Sequence, residues 1–442
     1  MANDKTFKVK NALEVGGTIK TSLGTITSSN IDLSTGNYFK DTTNTTTYTI
    51  SNPSPVQSFN LELTGGTADV ANNFSTTLYS GANAAKTITN NIDLAGDGGL
   101  VWTKWRSGVL GSAPNVLTDT ERGVNKNLKS NTNDGEESTN SIDSFTSTGY
   151  TIDAGDGPQG GTNYNGANYV SWTFKKASKF FDVVKITGDG TSGRNISHSL
   201  GEAPGMIIGT RYDVNSEHWQ VYHRGLDGGN QPATHALRLN STAAEGDESS
   251  YWEDTEPTST QFTVGNNLNQ NGGSFIFYLF SHNTSTINCG SYTGTGSANN
   301  AVTTGFEPQF LMIKKASGTG NWEVVDTSRG FPAAPTADGE STYLRWNDTS
   351  AEATASNMKV IPSSTGFIVN ATTSGINDNS DTYVYMAIKK AGDPAITWPA
   401  TVKWPAGITP SAPGIGETDL YTFTTDDSGS SYYGYLSGDN LS

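Results

Sequence analysis

A three-part pattern occurs three times along this chain, and it constrains the fold more than any other feature. An arginine followed by glycine stands at Arg122, Arg224 and Arg329, so the arginines are 102 and 105 residues apart. Each is preceded by an apolar triplet and followed by a closing run rich in apolar and aromatic residues. The triplets are Leu100-Val101-Trp102, Ile207-Ile208-Gly209 and Leu311-Met312-Ile313, and the closing runs are 169–177, 275–281 and 383–391. A period of about 105 residues is the size of a small domain, so the sequence predicts three tandem domains.

Within each repeat the pattern is typical of β-strands. Repeat 2 has apolar or alternating stretches at 181–187, 206–208, 219–222, 236–239, 262–264 and 275–280, separated by Gly- and Asn-rich turns. No long stretch shows helical periodicity. Only 33% of the residues are hydrophobic, but 10% are aromatic, and disordered chains are poor in aromatics. The sequence therefore predicts an all-β protein whose repeats are jelly rolls or β-sandwiches.

The flanks are too small to fold separately, so we predict that they fold together. Residues 30–66 and 392–442 would form one split β-sandwich domain, because their combined length is that of a small sandwich. The three repeats, 67–177, 178–285 and 286–391, would be inserted into a surface loop of that domain. Residues 1–29 alternate weakly between apolar and polar residues and cannot bury enough surface alone. We predict that they form an attachment or oligomerisation arm.

Charge and cysteine content argue against several classes of function. The net charge is −16, whereas a nucleic-acid partner requires clustered Lys and Arg. Cys289 is the one cysteine, which excludes an intrachain disulfide or a thiolate metal cage and favours assembly in a reducing cytosol. The N-terminal residues lack the apolar core of a signal peptide, and no window is apolar enough to span a membrane. We expect no nucleic-acid partner and no membrane insertion.

Two motifs of repeat 2 could carry chemistry. Residues 188–193 fit G-x-G-x-x-G, but a dinucleotide site needs a helix directly afterwards. No helical pattern follows, so a β-turn is favoured. All five histidines fall in this repeat and could form a metal or acid–base site: His198, His218, His223, His235 and His282. Alignment with repeat 3 places Asn321 at the position of His218 and Ser328 at or beside that of His223. We therefore expect hydrogen-bonded loop or surface histidines.

Acidic residues offer further candidates. Asp247 with Glu253, or Glu121 with Asp134, could be the carboxylate pair of a glycoside hydrolase. The stretches 131–135 and 153–157 could bind calcium through oxygen ligands. None of these features occurs in all three repeats, so turn and surface roles are favoured.

The Arg-Gly motif could bind anionic sugars on a host surface, but its presence in three diverged repeats favours a role in the fold. Trp252 and Trp346 could stack on sugars, although such residues more often cover the core. The sequence therefore predicts no catalytic, cofactor-binding or metal-ligating residue, and no enzyme.

Several segments resemble virion proteins. The flank segments Ile31–Phe39, Phe59–Thr64, Ile396–Pro405 and Thr418–Phe423 resemble a module of tail-fibre-like virion proteins of marine bacteriophages, especially cyanophages. The repeats resemble another phage module at residues 172–182, 204–208 and 219–225. Repeat 1 departs most, since Gly98-Gly99 stands where the others have proline. These modules occur on tail fibres, baseplate parts and capsid appendages, and no catalytic residues come with the resemblance.

The resemblance implies a non-enzymatic structural protein of a bacteriophage virion, assembled in the host cytoplasm. We expect a tail fibre or fibre-like appendage involved in host attachment. Its expected partners are other copies of itself in a homotrimer, other proteins of the tail or capsid, and host cell-surface glycans. One alternative is a capsid decoration or vertex appendage without a receptor role. Another is a polysaccharide-degrading tail spike.

Overall fold

The chain divides into two compact units. The structure, a computed structural model, describes residues 24, 26–27, 30–41, 48–64, 70–154, 161–331, 340–372, 375–391, 398–407, 409–410 and 418–438. The flank unit consists of Met1–Ala68 and Gly392–Ser442, and the repeat unit of Asp69–Ala391. The predicted arm, residues 1–29, lies almost wholly outside the described residues.

The described residues form strands joined by turns and loops. In chain order the strands are β1 Ile26–Thr27, β2 Asn30–Asp32, β3 Tyr38–Asp41, β4 Thr49–Ser51, β5 Gln57–Thr64, β6 Phe74–Ser80, β7 Lys86–Thr89, β8 Gly99–Gly108, β9 Asn115–Asp119, β10 Lys126–Lys129, β11 Glu137–Ser138, β12 Ile142–Thr146, β13 Gly149–Ile152, β14 Ala167–Lys175, β15 Phe181–Thr187, β16 Arg194–Ser197, β17 Met206–Arg211, β18 Gln220–His223, β19 His235–Arg238, β20 Gly246–Asp247, β21 Gln261–Val264, β22 Ser274–Phe280, β23 Ile287–Thr293, β24 Asn300–Thr303, β25 Pro308–Lys315, β26 Trp322–Asp326, β27 Thr342–Arg345, β28 Ala353–Thr354, β29 Val360–Ser363, β30 Gly366–Val369, β31 Thr382–Lys389, β32 Val402–Lys403, β33 Thr418–Thr425 and β34 Tyr432–Gly438. The helical segments are α1 Ser249–Trp252 and short 3-10 turns at Leu226–Gly229, Pro232–Thr234, Asn266–Leu268 and Pro405–Gly407. The predicted all-β sandwich class is confirmed. Within the described ranges, no helix has the length and apolarity needed to cross a bilayer.

All three repeats share one topology. Each has a six-stranded antiparallel sheet in which the first strand pairs with the last, and the last with the strand of the apolar triplet. The strand orders are β11-β10-β9-β8-β14-β6, β15-β22-β17-β18-β19-β20 and β23-β31-β25-β26-β27-β28. A small sheet packs against each large one, formed by β12-β13-β7, β16-β21 and β24-β30-β29. The sequence repeat is therefore a repeat of one two-sheet sandwich.

Strand pairing gives the register between repeats. Trp172 pairs with Trp102, Tyr278 with Ile208 and Met386 with Met312 on the two central strands. Leu100 is thus equivalent to Met206 and Phe310, one residue away from the alignment of the apolar triplets. The correction matters because a shift of one residue moves every side chain to the other face of the sheet.

Each large sheet is apolar on both faces. In β22, Phe275, Phe277 and Leu279 belong to the core of their own sandwich, whereas Ile276 and Phe280 belong to a larger cluster. All of these side chains are fully buried. A sheet with one solvent face would alternate apolar and polar residues. The continuous apolar run therefore reflects a second packing surface on the outer face of the sandwich.

The outer faces of the three large sheets meet in one cluster, here called the shared core. Its members on the central strands are Leu100, Trp102, Leu117, Val170, Trp172 and Phe174 from repeat 1, Met206, Ile208, Val221, Ile276, Tyr278 and Phe280 from repeat 2, and Phe310, Met312, Val324, Val384, Met386 and Ile388 from repeat 3. These are six equivalent positions, each filled three times. The repeats therefore form one compact unit, which the division into three separate domains did not anticipate.

The flank unit is built from both ends of the chain. Its five-stranded sheet has the order β3-β5-β33-β34-β32. At its centre, β5 pairs along its whole length with β33, from Thr64 opposite Thr418 to Gln57 opposite Thr425. Its core includes Phe59 of the N-terminal flank stacked on Phe423 of the C-terminal flank at 4.9 Å. The two flanks share one core and one sheet, so the repeat unit is inserted between them in the chain.

Candidate functional site

The repeated arginines of repeats 1 and 3 lie in buried ion pairs. Asp119 ends β9 and Asp326 ends β26, and the arginine follows three residues later. Arg122 Nε donates to Asp119 Oδ2 at 2.6 Å, and Arg329 Nε donates to Asp326 Oδ2 at 2.7 Å. All four side chains are fully buried. Each guanidinium also donates to a carbonyl of the preceding strand, at 3.0 and 3.1 Å. These groups are enclosed and tie a turn to its strand.

The glycine of the motif is required by backbone conformation in repeats 1 and 3 and by close packing in repeat 2. Gly123 and Gly330 have φ values of 97° and 109°, a region that side chains rarely adopt. Gly225 of repeat 2 has a φ of −96°. There a Cβ would lie 2.9 Å from the Cβ of Ser291, so close packing requires the glycine. The three identical dipeptides are therefore not structurally equivalent.

Repeat 2 replaces the ion pair by a histidine. His223 pairs with Met206 as Asp326 pairs with Phe310. It therefore occupies the aspartate position, two residues before Ser328, whereas sequence alignment placed it at or beside Ser328. Arg224 follows directly and is exposed. The shorter turn carries the arginine away from the buried position. Only two of the three arginines therefore have the structural role that the sequence favoured.

His223 is neutral and fully enclosed. Its Nε2 lies 3.0 Å from the carbonyl oxygen of Tyr385, and its Nδ1 lies 3.1 Å from the backbone nitrogen of Gly225. The carbonyl can only accept and the amide can only donate, which assigns the proton to Nε2. Burial lowers the pKa of His223 to about 3. A charged imidazole would lose its hydrogen bond from Gly225.

The buried groups at these positions bond to the neighbouring repeat. Tyr278 of repeat 2 donates its hydroxyl to Asp119 of repeat 1 at 2.7 Å. Trp172 of repeat 1 donates its indole Nε1–H to Asp326 of repeat 3 at 3.0 Å. The equivalent position in repeat 3 is Met386, which has no donor, and there the histidine of repeat 2 donates to the adjacent carbonyl. At two boundaries a buried aspartate therefore accepts from a side chain of the neighbouring repeat. At the third boundary the histidine donates to a backbone carbonyl instead.

A second set of contacts repeats the same geometry. In each repeat, the residue at or just before the start of β9, β18 or β26 donates a side-chain hydrogen bond to a backbone carbonyl of the neighbouring repeat. The accepting carbonyl is at an equivalent position each time. The bonds are Asn115 Nδ2 to Arg345 O at 3.3 Å, Trp219 Nε1 to Lys129 O at 3.1 Å and Trp322 Nε1 to Arg238 O at 3.1 Å. Repeat 1 therefore contacts repeat 3, repeat 3 contacts repeat 2, and repeat 2 contacts repeat 1. The repeats close into a pseudo-threefold ring.

One glutamate contributes to each of the three boundaries, and sequence reasoning missed all three. The backbone N–H groups of Glu136, Glu245 and Glu352 donate to carbonyls of the neighbouring repeat at 2.7, 2.8 and 2.8 Å. The Glu136 carboxylate lies 3.4 Å from Arg122 Nη1, and that of Glu352 lies 3.6 Å from Arg329 Nη1. Their spacing of 109 and 107 residues was the signal that could have found them.

Two buried lysines also join repeats. Lys104 donates from Nζ to the carbonyl oxygen of Asp348 at 2.8 Å, and the equivalent Lys314 donates to that of Thr242 at 3.4 Å. Burial lowers the pKa of Lys104 to about 8 and that of Lys314 to about 7. Both amines hold a loop of the next repeat and face no open cleft.

Acidification should destabilise the repeat unit through His223. Its pKa is about 3 in the folded chain and about 6.5 when unfolded, so the unfolded state binds the extra proton between these values. The contribution of neutral His223 to the free energy of unfolding is fully present above pH 6.5 and is lost as the pH falls. The loss amounts to roughly 3 kcal/mol at pH 4. Urea unfolding at pH 7, 5.5 and 4 measures this. Burial also lowers the pKa of His198 and His282, which adds in the same direction.

The variant His223→Gln isolates the effect, because an amide can donate to Tyr385 and has no proton to gain. Its stability should change less than that of the native chain between pH 6.5 and 4.5, and exposed His218→Gln should change nothing. Parallel pH profiles for His223→Gln and the native chain would contradict the assignment.

The remaining histidines do not come together. His198 contacts the carbonyl oxygen of Thr258, His218 contacts Asn240, His235 contacts Thr234 and His282 accepts from the backbone nitrogen of Cys289. Among the described residues, no group of three or more His, Cys, Asp or Glu side chains is placed to hold a metal ion. Each histidine has its own local partner.

The other sequence candidates lie in structural settings. Residues 188–193 link β15 to β16, so a strand and not a helix follows, which confirms the turn. Glu121 pairs with Lys176 at 3.1 Å, and Glu253 accepts from Ser192. The loop 131–135 contacts repeat 2, because Gly135 N donates to Asn215 Oδ1 at 2.8 Å. The stretch 153–157 lies partly outside the described residues. Trp252 and Trp346 are buried, so both belong to cores, as the sequence favoured.

A small cavity of repeat 3 is the best remaining candidate for a ligand site. It has a volume of about 190 Å³. Its polar lining includes Lys315, Asn321, Glu323, Arg345, Asn357 and Asp378. Arg345 Nε lies 3.2 Å from Glu323 Oε1. Burial raises the pKa of Glu323 to about 7, and the charge of Arg345 opposes that effect. Sequence reasoning missed this site, although Glu323 interrupts an apolar strand.

Comparison with known families places the chain. Residues 69–392 match the family described as "Domain of unknown function (DUF7483)". The chain belongs to this family. No curated protein matches the sequence. The matched DUF7483 region spans all three repeats, and its limits agree to within one residue with those of the repeat unit, Asp69–Ala391. The three sandwiches of a DUF7483 domain thus correspond to one compact unit.

The buried groups of the DUF7483 domain support packing more than catalysis. Asp119, Arg122, Asp326 and Arg329 bond to partners in their own and the neighbouring repeat. A general acid or base must reach a substrate atom. These groups are enclosed, so their chemistry is the joining of repeats.

Proposed function

We propose that this chain is a non-enzymatic structural protein of a bacteriophage virion, a tail fibre or fibre-like appendage that contacts the host surface. The observation that carries the proposal is the use of the repeated polar residues. Asp119, Arg122, Asp326 and Arg329 fasten sandwiches together in a closed ring. Because its repeated charged residues hold the repeats together, the chain is suited to a mechanical role and to the display of a binding surface.

The order of the chain supports the same role. The flank unit is formed by both ends of the chain, and the DUF7483 domain is inserted between them. An insertion of this kind gives a carrier with a displayed module. The proposed partners are other virion proteins and two further copies of the chain, joined through the arm of residues 1–29. Sparse apolar residues of such an arm can be buried in an oligomer.

Location on the particle tests the proposal. Antibodies against the full chain, coupled to gold, should label purified phage particles in electron micrographs. Label on the tail supports the fibre, and label on the capsid supports the decoration protein instead. Particles that carry no label, although the lysate contains the chain, would overturn the virion assignment.

Two solution measurements test the remaining parts. Light scattering after size exclusion should give the mass of three chains of 46.8 kDa each, and a monomer would remove the homotrimer. Incubation of the chain with envelope polysaccharide of the host should release no new reducing ends. A steady release would favour the degrading spike.

A further inference from the structure

The cavity of repeat 3 has a lining suited to a small hydroxylated molecule. Its volume of about 190 Å³ equals roughly six water molecules at ~30 Å³ each, which suits one sugar ring. Ile313 and Ile376 are buried and form an apolar side, whereas the rest of the lining is polar. A sugar ring has the same division, with apolar C–H faces and a rim of hydroxyls.

The charges of the lining balance. Among the described residues that line the cavity, Lys315 and Arg345 are basic and Glu323 and Asp378 are acidic. Lys315 Nζ lies 2.9 Å from Asp378 Oδ2. A cavity of balanced charge does not select an anion or a cation. The described lining also has no aromatic ring, which argues against a flat heteroaromatic ligand.

A cavity of repeat 2 shares two equivalent lining positions with it. It has a volume of about 140 Å³ and is lined by Gln220, Arg238 and Glu248, among others. Strand register makes Gln220 equivalent to Glu323 and Arg238 equivalent to Arg345. The Oε1 atom of Gln220 is buried without a hydrogen-bond partner. An unpaired buried acceptor is costly, and a ligand hydroxyl or water would satisfy it.

Repeat 1 provides the internal contrast. Its residue at the Glu323 position is Val116, which pairs with Lys129 in the same register. Valine offers no hydrogen bond. The three repeats thus carry Val, Gln and Glu at one position, and the carboxylate coincides with the larger cavity. Perturbed carboxyl groups in cavities are common at functional sites.

We propose that the cavity of repeat 3 binds one neutral sugar residue, with Glu323 accepting from ring hydroxyls and Arg345 and Asn321 donating to ring oxygens. Ile313 and Ile376 would contact the C–H face. The inference rests on the proposed function only for the source of the sugar, a glycan of the host envelope. It names the ligand class of the display module and the repeat that carries it.

Saturation-transfer NMR on the full chain tests the proposal. The probes are the methyl glycosides of glucose, galactose, mannose and N-acetylglucosamine, each at 1–50 mM. We expect at least one to receive saturation from the protein, with a dissociation constant in the millimolar range that is typical of small polar ligands. No transfer to any of the four would overturn the proposal.

Two variants locate the site. Glu323→Val copies repeat 1 and should weaken binding at least tenfold, while Arg345 keeps Asp348 at 3.3 Å. Asn357→Trp should block the cavity, because Asn357 is half-buried and lines it. The matched control is Glu137→Val, which removes a carboxylate paired with Lys129 in repeat 1 and should leave binding unchanged. Unchanged binding in either cavity variant would overturn the assignment.

The result is independent of the particle test. If antibodies detect the chain on the virion but it binds none of the glycosides, the sugar site is wrong and the structural role stands. A chain that binds a glycoside but is missing from particles keeps the site and loses the virion assignment.

Discussion

Replacing Arg329 by methionine should lower the free energy of unfolding by about 3–5 kcal/mol, because it leaves Asp326 charged in a fully buried place. The partner carboxylate would retain Trp172 Nε1 at 3.0 Å and the backbone nitrogen of Arg329 at 3.1 Å. These two bonds do not neutralise its charge. Arg122→Met should cost a similar amount, because Asp119 is equally buried. Urea denaturation at pH 7, followed by tryptophan fluorescence, measures both.

The copy of the motif in repeat 2 is the matched control. Arg224 is exposed, so Arg224→Met should change stability by less than about 0.5 kcal/mol. The three variants remove the same dipeptide feature, and only burial separates them. Equal effects in all three would contradict the structural difference between the repeats. Surface Arg211→Met, which breaks an exposed pair with Asp213, should also cost less than about 1 kcal/mol.

Replacing Trp346 by alanine should cost about 3–5 kcal/mol and should loosen repeat 1 as well as repeat 3. Trp346 belongs to the shared core and stacks on Trp102 of repeat 1 at 4.0 Å. Its ring also meets the edge of Trp172 at 6.2 Å. Truncation of a buried tryptophan removes its burial and leaves a cavity. Hydrogen exchange with mass spectrometry should show faster exchange in β8 and β14 of repeat 1.

The control for this prediction is Leu78→Ala on β6 of repeat 1. Leu78 is 39% exposed, so its truncation should cost less than about 1 kcal/mol. In calorimetry the native repeat unit should melt as one transition, since the three sandwiches share a core. Separate transitions for three sandwiches, or faster exchange confined to repeat 3 in Trp346→Ala, would contradict the shared core.

Much of the fold was readable from local patterns. The period of about 105 residues predicts three equivalent units, and short apolar stretches between Gly- and Asn-rich turns predict strands. The small size of each flank predicts that they fold together. Each of these inferences depends on residues close in sequence, or on a simple limit of size.

The candidate site was less predictable. The Arg-Gly dipeptide is identical in three places, yet a turn two residues shorter leaves Arg224 outside. Alignment by letters could not show that His223 takes the place of Asp326. The role of Glu323 could not be inferred for a related reason. What a charged residue in a strand does depends on the side chain that faces it. That side chain, Arg345, lies on another strand.

The sequence by itself determined the repeat, the strand-rich class and the pairing of flanks, because these follow from periodicity, residue preference and the surface that a short chain can bury. Only the tertiary structure decided that the three repeats form one body. Every large sheet has two apolar faces, and one set of side chains cannot reveal whether its second face meets solvent, a partner or another repeat. The contacts of Tyr278 with Asp119 and Trp172 with Asp326 join residues more than 150 positions apart. No local pattern encodes such a meeting, so the closed ring and its buried charges become visible only in three dimensions.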